Sequence, residues 1–232
     1  MNLETIIQNI HNWKDLRDHC DSAKFVSLFE QGIGFYFTFP KDKDYELVFD
    51  SVEEGENCFH AYAGCSDKGE LVFYLIHSSR DTKEQFEKGD IENYIVPCEI
   101  TKDGTINGPE EIPSSEAQKL IQNWKDNHID WINKQANSKD GFYQAFFIPE
   151  VDIQRGVKLK AYFALKPSED PDPEVPFQAD LIISDMKNSV VSPANTFTDL
   201  ARPVPPFKPG VLSKDSYFLL ECTVKDDYIR LG

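Results

Sequence analysis

The chain has 232 residues, 40% of them hydrophobic and 12% aromatic, which is the composition of a folded protein with room for one large domain or two small ones. Its formal charge is −16, from 40 acidic against 24 basic residues, and such a surface repels phosphate backbones and anionic headgroups. No basic run interrupts it, no apolar run reaches the ~18–20 residues of a membrane span, and the N-terminal stretch lacks a basic segment followed by an apolar one. Nucleic-acid and membrane binding are therefore not expected, and a cytoplasmic location is.

The first element is a helix. Leu3, Ile6, Ile7, Ile10, Trp13 and Leu16 recur at steps of three and four and make one apolar stripe. His19, Cys20 and Asp21 cluster at its end, where a histidine interacts favourably with the helix dipole. A short apolar run follows, then "GIGFYFTFP", read as a strand over 33–40 closed by a proline that cannot donate to a ladder. Further strands are predicted over 45–50, 58–65, 70–77 and 93–100. "GCSDKGE" supplies the turn chemistry of a hairpin between the strands 58–65 and 70–77. "SSRDTKEQFEKGD" reads as a short helical connection ending at Gly89. The run Leu71–Ile76 is apolar throughout, so both of its faces should be covered.

Pro113-Ser114-Ser115-Glu116 marks the start of a second helix, with Ser114 or Ser115 as N-cap and Ala117, Leu120, Ile121, Trp124, Trp131 and Ile132 as its stripe. Trp13, Trp124 and Trp131 are read as core residues. "GFYQAFFIP" repeats the glycine-aromatic-proline form of the first strand, "LKAYFALK" echoes "FHAYAGC", "QADLIISDM" echoes "GELVFYLIHS", and "YFLLECTV" echoes "NYIVPCEI". The paired positions are Ile7 with Ile121, Gly34 with Gly141, Ala61 with Ala161, Leu71 with Leu181 and Cys98 with Cys222. Such order predicts a tandem α+β pseudo-repeat: units 1–113 and 114–232, each an N-terminal helix packed on its own mainly antiparallel sheet of four to five strands. The two units can pack as one globule. In the second unit "KPSEDPDPEVPFQ", rich in proline and acid, is read as a stiff, exposed, acidic loop that can be neither a central strand nor a helix interior. "RPVPPFKP", with Pro203, Pro206 and Lys208 spaced as in polyproline ligands, is read as an extended covering segment.

Chemistry is sparse. Cys20, Cys58, Cys65, Cys98 and Cys222 are widely spaced, contain no C-x-x-C and read as buried thiols. Cys65, His60 and His77 are the candidate ligand-binding residues, since a thiol beside an imidazole can act as nucleophile and base. The expected register opposes this: Cys65 falls opposite Glu70, His60 opposite Tyr74 or Leu75, and His77 lies past the paired region. No metal pattern, phosphate loop or dinucleotide fingerprint occurs, so neither metal nor cofactor is expected. Glu169, Asp170, Asp172, Glu174 and Phe207 are the candidate partner-binding residues. The sequence points to a non-catalytic acidic interaction module, of the inhibitor, immunity or adaptor type, with a basic protein as partner. The alternative is a small-molecule binding protein or enzyme with a site between the two units.

Overall fold

Among the described residues eight segments, most of them rich in apolar and aromatic residues, form strands, and all of them join one antiparallel sheet. The structure is a computed structural model and describes residues 2–40, 58–101, 115–139, 141–150, 153, 156–172, 175–185, 202–204 and 217–223. In chain order the elements are α1 (Leu3–Asp18), α2 (Ser22–Phe29), β1 (Gly34–Thr38), β2 (Cys58–Cys65), β3 (Leu71–His77), α3 (Lys83–Glu87), β4 (Val96–Ile100), α4 (Ser115–Ala136), β5 (Ala145–Pro149), β6 (Lys158–Asp172), β7 (Val175–Asp185), β8 (Arg202–Val204) and α5 (Phe218–Cys222). The spatial order is β7-β6-β1-β4-β3-β2-β5-β8. The outermost strands, β7 and β8, approach each other, so the sheet curls almost into a barrel.

Strand periodicity sorts the side chains. Along β2, Phe59, Ala61, Ala63 and Cys65 point into the curled sheet, where they meet Phe35, Phe73, Phe146, Phe163 and Leu181. The interior is largely aromatic: Phe35 stacks on Phe73 at 4.5 Å and Phe25 on Phe142 at 4.3 Å. The outer face is covered by helices in two places. Ile6, Ile7 and Ile10 of α1 lie on Tyr62, Tyr74 and Ile76 of β2 and β3. Ala117, Leu120 and Ile121 of α4 lie on Tyr162, Ala164 and Ile182 of β6 and β7. Farther along, each helix sends tryptophan into the interior cluster. Trp13 donates to the Tyr143 carbonyl at 2.8 Å and Trp131 to the Phe177 carbonyl at 2.9 Å.

The local signals hold. Asn2 caps α1, Asp21 caps α2 and Thr82 caps α3, each with its side chain. Gly69 in the β2–β3 hairpin and Gly89 after α3 have φ of 74° and 73°, the left-handed region that glycine enters without strain. β3 is buried along almost its whole length. The strand expected at 45–50 and the N-cap at Ser114 lie outside the described residues.

Three expectations are corrected. One sheet takes strands from both halves, in place of one sheet for each half: β5 pairs with β2, and β6 with β1. The segment read as a proline-rich acidic loop is strand, because β6 runs to Asp172 and pairs with β7 through a bulge between Pro167 and Asp172. Among the described residues β1 pairs with 158–162, and past them β6 pairs with β7 on its other side, so proline there interrupts no described ladder with β1. Finally, Cys98 is in β4 while Cys222 is in α5, so the two do not take equivalent places.

The pairings reveal a different correspondence. Tyr36 faces Lys160 as Phe147 faces His60, and Phe35 faces Ala161 as Phe146 faces Ala61. Tyr62 faces Tyr74 as Tyr162 faces Ile182. Tyr36 faces Glu99 as Phe147 faces Arg202. By register Ala61 matches Ala161, as the sequence comparison has it. Gly34 matches Ala145 instead of Gly141, Leu71 matches Ala179 instead of Leu181, and β4 matches β8. Exchanging β1–β4 with β5–β8 leaves the circular strand order unchanged once β7 is set beside β8.

Candidate functional site

His60 and Tyr62 sit two residues apart on β2, so both side chains leave the same face of the sheet, the outer one. Asp81 follows a 3-10 turn, Ser78–Arg80, at the end of β3, and its carboxylate turns back onto that face. His60 Nδ1 lies 2.6 Å from Asp81 Oδ2, and the Tyr62 hydroxyl donates to the same oxygen. The Leu219 N–H donates to Asp81 Oδ1 at 3.2 Å. Both oxygens are thus engaged, and all three side chains are fully buried. With Asp81 as acceptor, the His60 tautomer that completes this contact is the one with its N–H at Nδ1. Tyr217 stacks on His60 with ring centroids 3.9 Å apart and meets Tyr62 edge-on at 6.0 Å. The Tyr62 phenol is pushed well above its usual range, first by burial and then by the charge and hydrogen bond of Asp81. The remaining polar atom, His60 Nε2, is buried without a hydrogen-bond partner.

The three candidate ligand-binding residues do not converge. The β2–β3 register sets Cys65 opposite Leu71, His60 opposite Ile76 and His77 opposite Phe59. His77 is therefore inside the ladder, not beyond it, since the hairpin closes one residue later than expected. It lies on the inner face with Phe59, whereas His60 is on the outer face. The His77 Nδ1 accepts from the Ser79 N–H at 3.3 Å, and Nε2 is 3.8 Å from Glu150 Oε2. Cys65 ends β2, five residues from His60 and on the opposite face. Its thiol is raised by burial, with Lys24 opposing, so the thiolate that nucleophilic chemistry needs is suppressed. The thiol borders an open groove of about 430 Å³ lined by Asn12, Asp15, Lys24 and Asp67 among others.

Of the candidate partner-binding residues, Glu169, Asp170 and Asp172 belong to the distal ribbon of β6. Glu174 and Phe207 lie outside the described residues. Asp81 and Tyr217 escaped the sequence reading because they reach His60 from distant chain positions. The i, i+2 spacing of His60 and Tyr62 on a strand was the signal that could have been used.

On the opposite outer face, Lys160 takes the register position of His60. Its ammonium lies 4.3 Å from the Tyr162 ring and 5.2 Å from the Tyr36 ring. Among the described residues no group of three or more His, Cys, Asp or Glu could hold a metal ion, and no helix is long and apolar enough to cross a membrane. Comparison of the chain with protein-family models, with curated proteins and with solved structures finds no match.

Proposed function

We propose that the chain is a non-catalytic acidic module that binds a basic protein partner, and that it is built from two copies of one helix-plus-four-strand unit closed into a single curled sheet. The charge of −16 carries the interaction reading. Complementary charge speeds encounter with a basic partner and excludes acidic ones. The buried state of His60, Tyr62 and Asp81 supports it too: their hydrogen bonds join β2 to α5, and solvent does not reach them. The tandem reading is supported by the shared register of β1–β6 with β5–β2 and by the matching seats of α1 on β2 and α4 on β6. The acidic ribbon of β6 and β7 offers the contact surface.

The test is co-purification with the full chain as bait at low and at high ionic strength. A basic partner retained at low salt and released at high salt is the expected result; equal retention in both, or no partner in either, counts against the reading. A second reading has its own observation, the groove beside Cys65 with Lys24 and Asp67 on its rim. There a small polar ligand is the expected occupant. Thermal shift across a library of small polar compounds, repeated on Cys65→Ser, checks it, and absence of any shift removes it.

A further inference from the structure

The outer face of β2 is occupied by a segment of the chain itself. α5 has five residues, too few to hold a helix without docking. Its N-cap, Tyr217, makes no side-chain cap bond. Asp81 supplies that bond from 138 positions away, accepting from the Leu219 N–H. Tyr217 lies flat on His60, and Phe218, Leu219, Leu220 and Cys222 are buried against α1. The polar contacts of this attachment include the Asp81 carboxylate, the ring stack on His60 and the Thr223 carbonyl, 3.2 Å from His11 Nδ1.

The fit is incomplete by one hydrogen bond, because His60 Nε2 is buried with nothing to bond. A segment of similar form that also brought a donor to Nε2 would satisfy the site better than the chain's own. Building on the protein-binding reading, we propose that Tyr217–Thr223 is an autoinhibitory latch, and that the site beneath it takes a partner's helical segment. The chemistry defines that segment: an aromatic residue just before the helix start, to stack on His60; an N–H for Asp81; apolar residues behind them; and a hydroxyl or amide side chain that reaches Nε2.

The thiols report on the latch. Cys222 is buried within it, whereas Cys58 is buried in the sheet. The full-length chain is treated with iodoacetamide and each cysteine is followed by mass spectrometry, in the wild type, in Leu219→Pro, which removes the donated N–H, and in Asp81→Asn, which removes the accepting charge. Cys222 is expected to label at least tenfold faster in the variants while Cys58 keeps its rate. A fluorescent peptide of residues 217–223, with serine in place of its cysteine, is expected to bind the Leu219→Pro chain and not the wild type. If Leu219→Pro exposes both thiols, Asp81→Asn decides. Joint acceleration of Cys58 and Cys222 in both variants overturns the latch, and selective opening without peptide capture overturns the docking site. The salt-dependent association reads a different surface, so its failure leaves the labelling result standing.

Discussion

The two outer faces of the sheet share a register and differ in how they bury a polar side chain. On β2, His60 is held by the Asp81 carboxylate and capped by Tyr217. On β6, Lys160 rests against the rings of Tyr36 and Tyr162. A carboxylate that accepts from three donors gives directional bonds and fixes what lies above it. A cation over aromatic rings is held without a fixed angle. On the first face the carboxylate thus fixes a separate chain segment, α5, whereas on the second the buried carboxylate, Asp180, accepts from the N–H of its own strand neighbour Leu181 at 2.8 Å and lies 3.0 Å from Lys166 Nζ.

This contrast can be broken most sharply at Asp81. Asp81→Ala leaves the donors of His60, Tyr62 and Leu219 facing nothing, and should cost about 3–5 kcal/mol in denaturant unfolding, by analogy with breaking a buried pair. Lys160→Met keeps the bulk of the side chain and should cost ~1 kcal/mol, the scale of a cation–π contact. If the two costs are equal, the faces do not differ as described.

Next in size is the pair Gly34 and Ala145. A Cβ on Gly34 would run into the carbonyl of Ala161. Gly34→Ala should therefore destabilise by about 1–3 kcal/mol, the usual cost of overpacking. Ala145 takes the same register position opposite Tyr62 and already carries its methyl. Ala145→Gly should cost about 1 kcal/mol or less, the penalty of glycine in a strand. Thermal unfolding of both variants compares them.

A pH profile sharpens the comparison further. Tyr62, Tyr74 and Tyr143 are all raised above the ordinary phenol value of 10.0, each mainly by burial. The folded chain keeps these protons when the unfolded chain has lost them. Stability from this source is thus whole below pH 10 and falls as pH rises from there. Tyr62→Phe should lessen that alkaline loss, because it removes the phenol beside Asp81. Denaturant midpoints measured through the alkaline range give the slopes, and an unchanged slope would place Tyr62 outside the effect.

The smallest effect concerns helix seating. A Cβ on Gly64 would lie 3.1 Å from the Asn9 carbonyl oxygen of α1 and 2.9 Å from a Val72 methyl. Its register match, Ala164, already carries a side chain beneath α4. Gly64→Ala should cost about 1 kcal/mol, with little change for Ala164→Gly beyond the glycine penalty. Equal responses would mean that α1 and α4 sit at the same height above the sheet.

Much of the architecture was legible in single stretches of sequence. The stripes Ile6–Ile7–Ile10 and Ala117–Leu120–Ile121 located the helices, and the form of "FHAYAGC" and "LKAYFALK" gave matching strands, because helical and strand periods are local properties of the chain. Partner choice was not legible. Nothing near β1 states that it pairs with β6 as well as β4, and nothing near Pro167 states that it sits in a strand opposite Phe177. The candidate site was half legible. His60 was singled out, but Cys65 lies on the other face because it is an odd number of residues away on the same strand, and His77 because the hairpin register is one residue from the expected one.

Local pattern thus determined where helix and strand form, which residues are apolar and how strongly the surface is charged. Tertiary structure alone decided that both halves enter one sheet and that Asp81 and Tyr217 meet His60. The reason is physical. Periodicity and turn chemistry act over a few residues, whereas pairing and burial are settled by the whole chain closing on itself, between positions that carry no mark of each other.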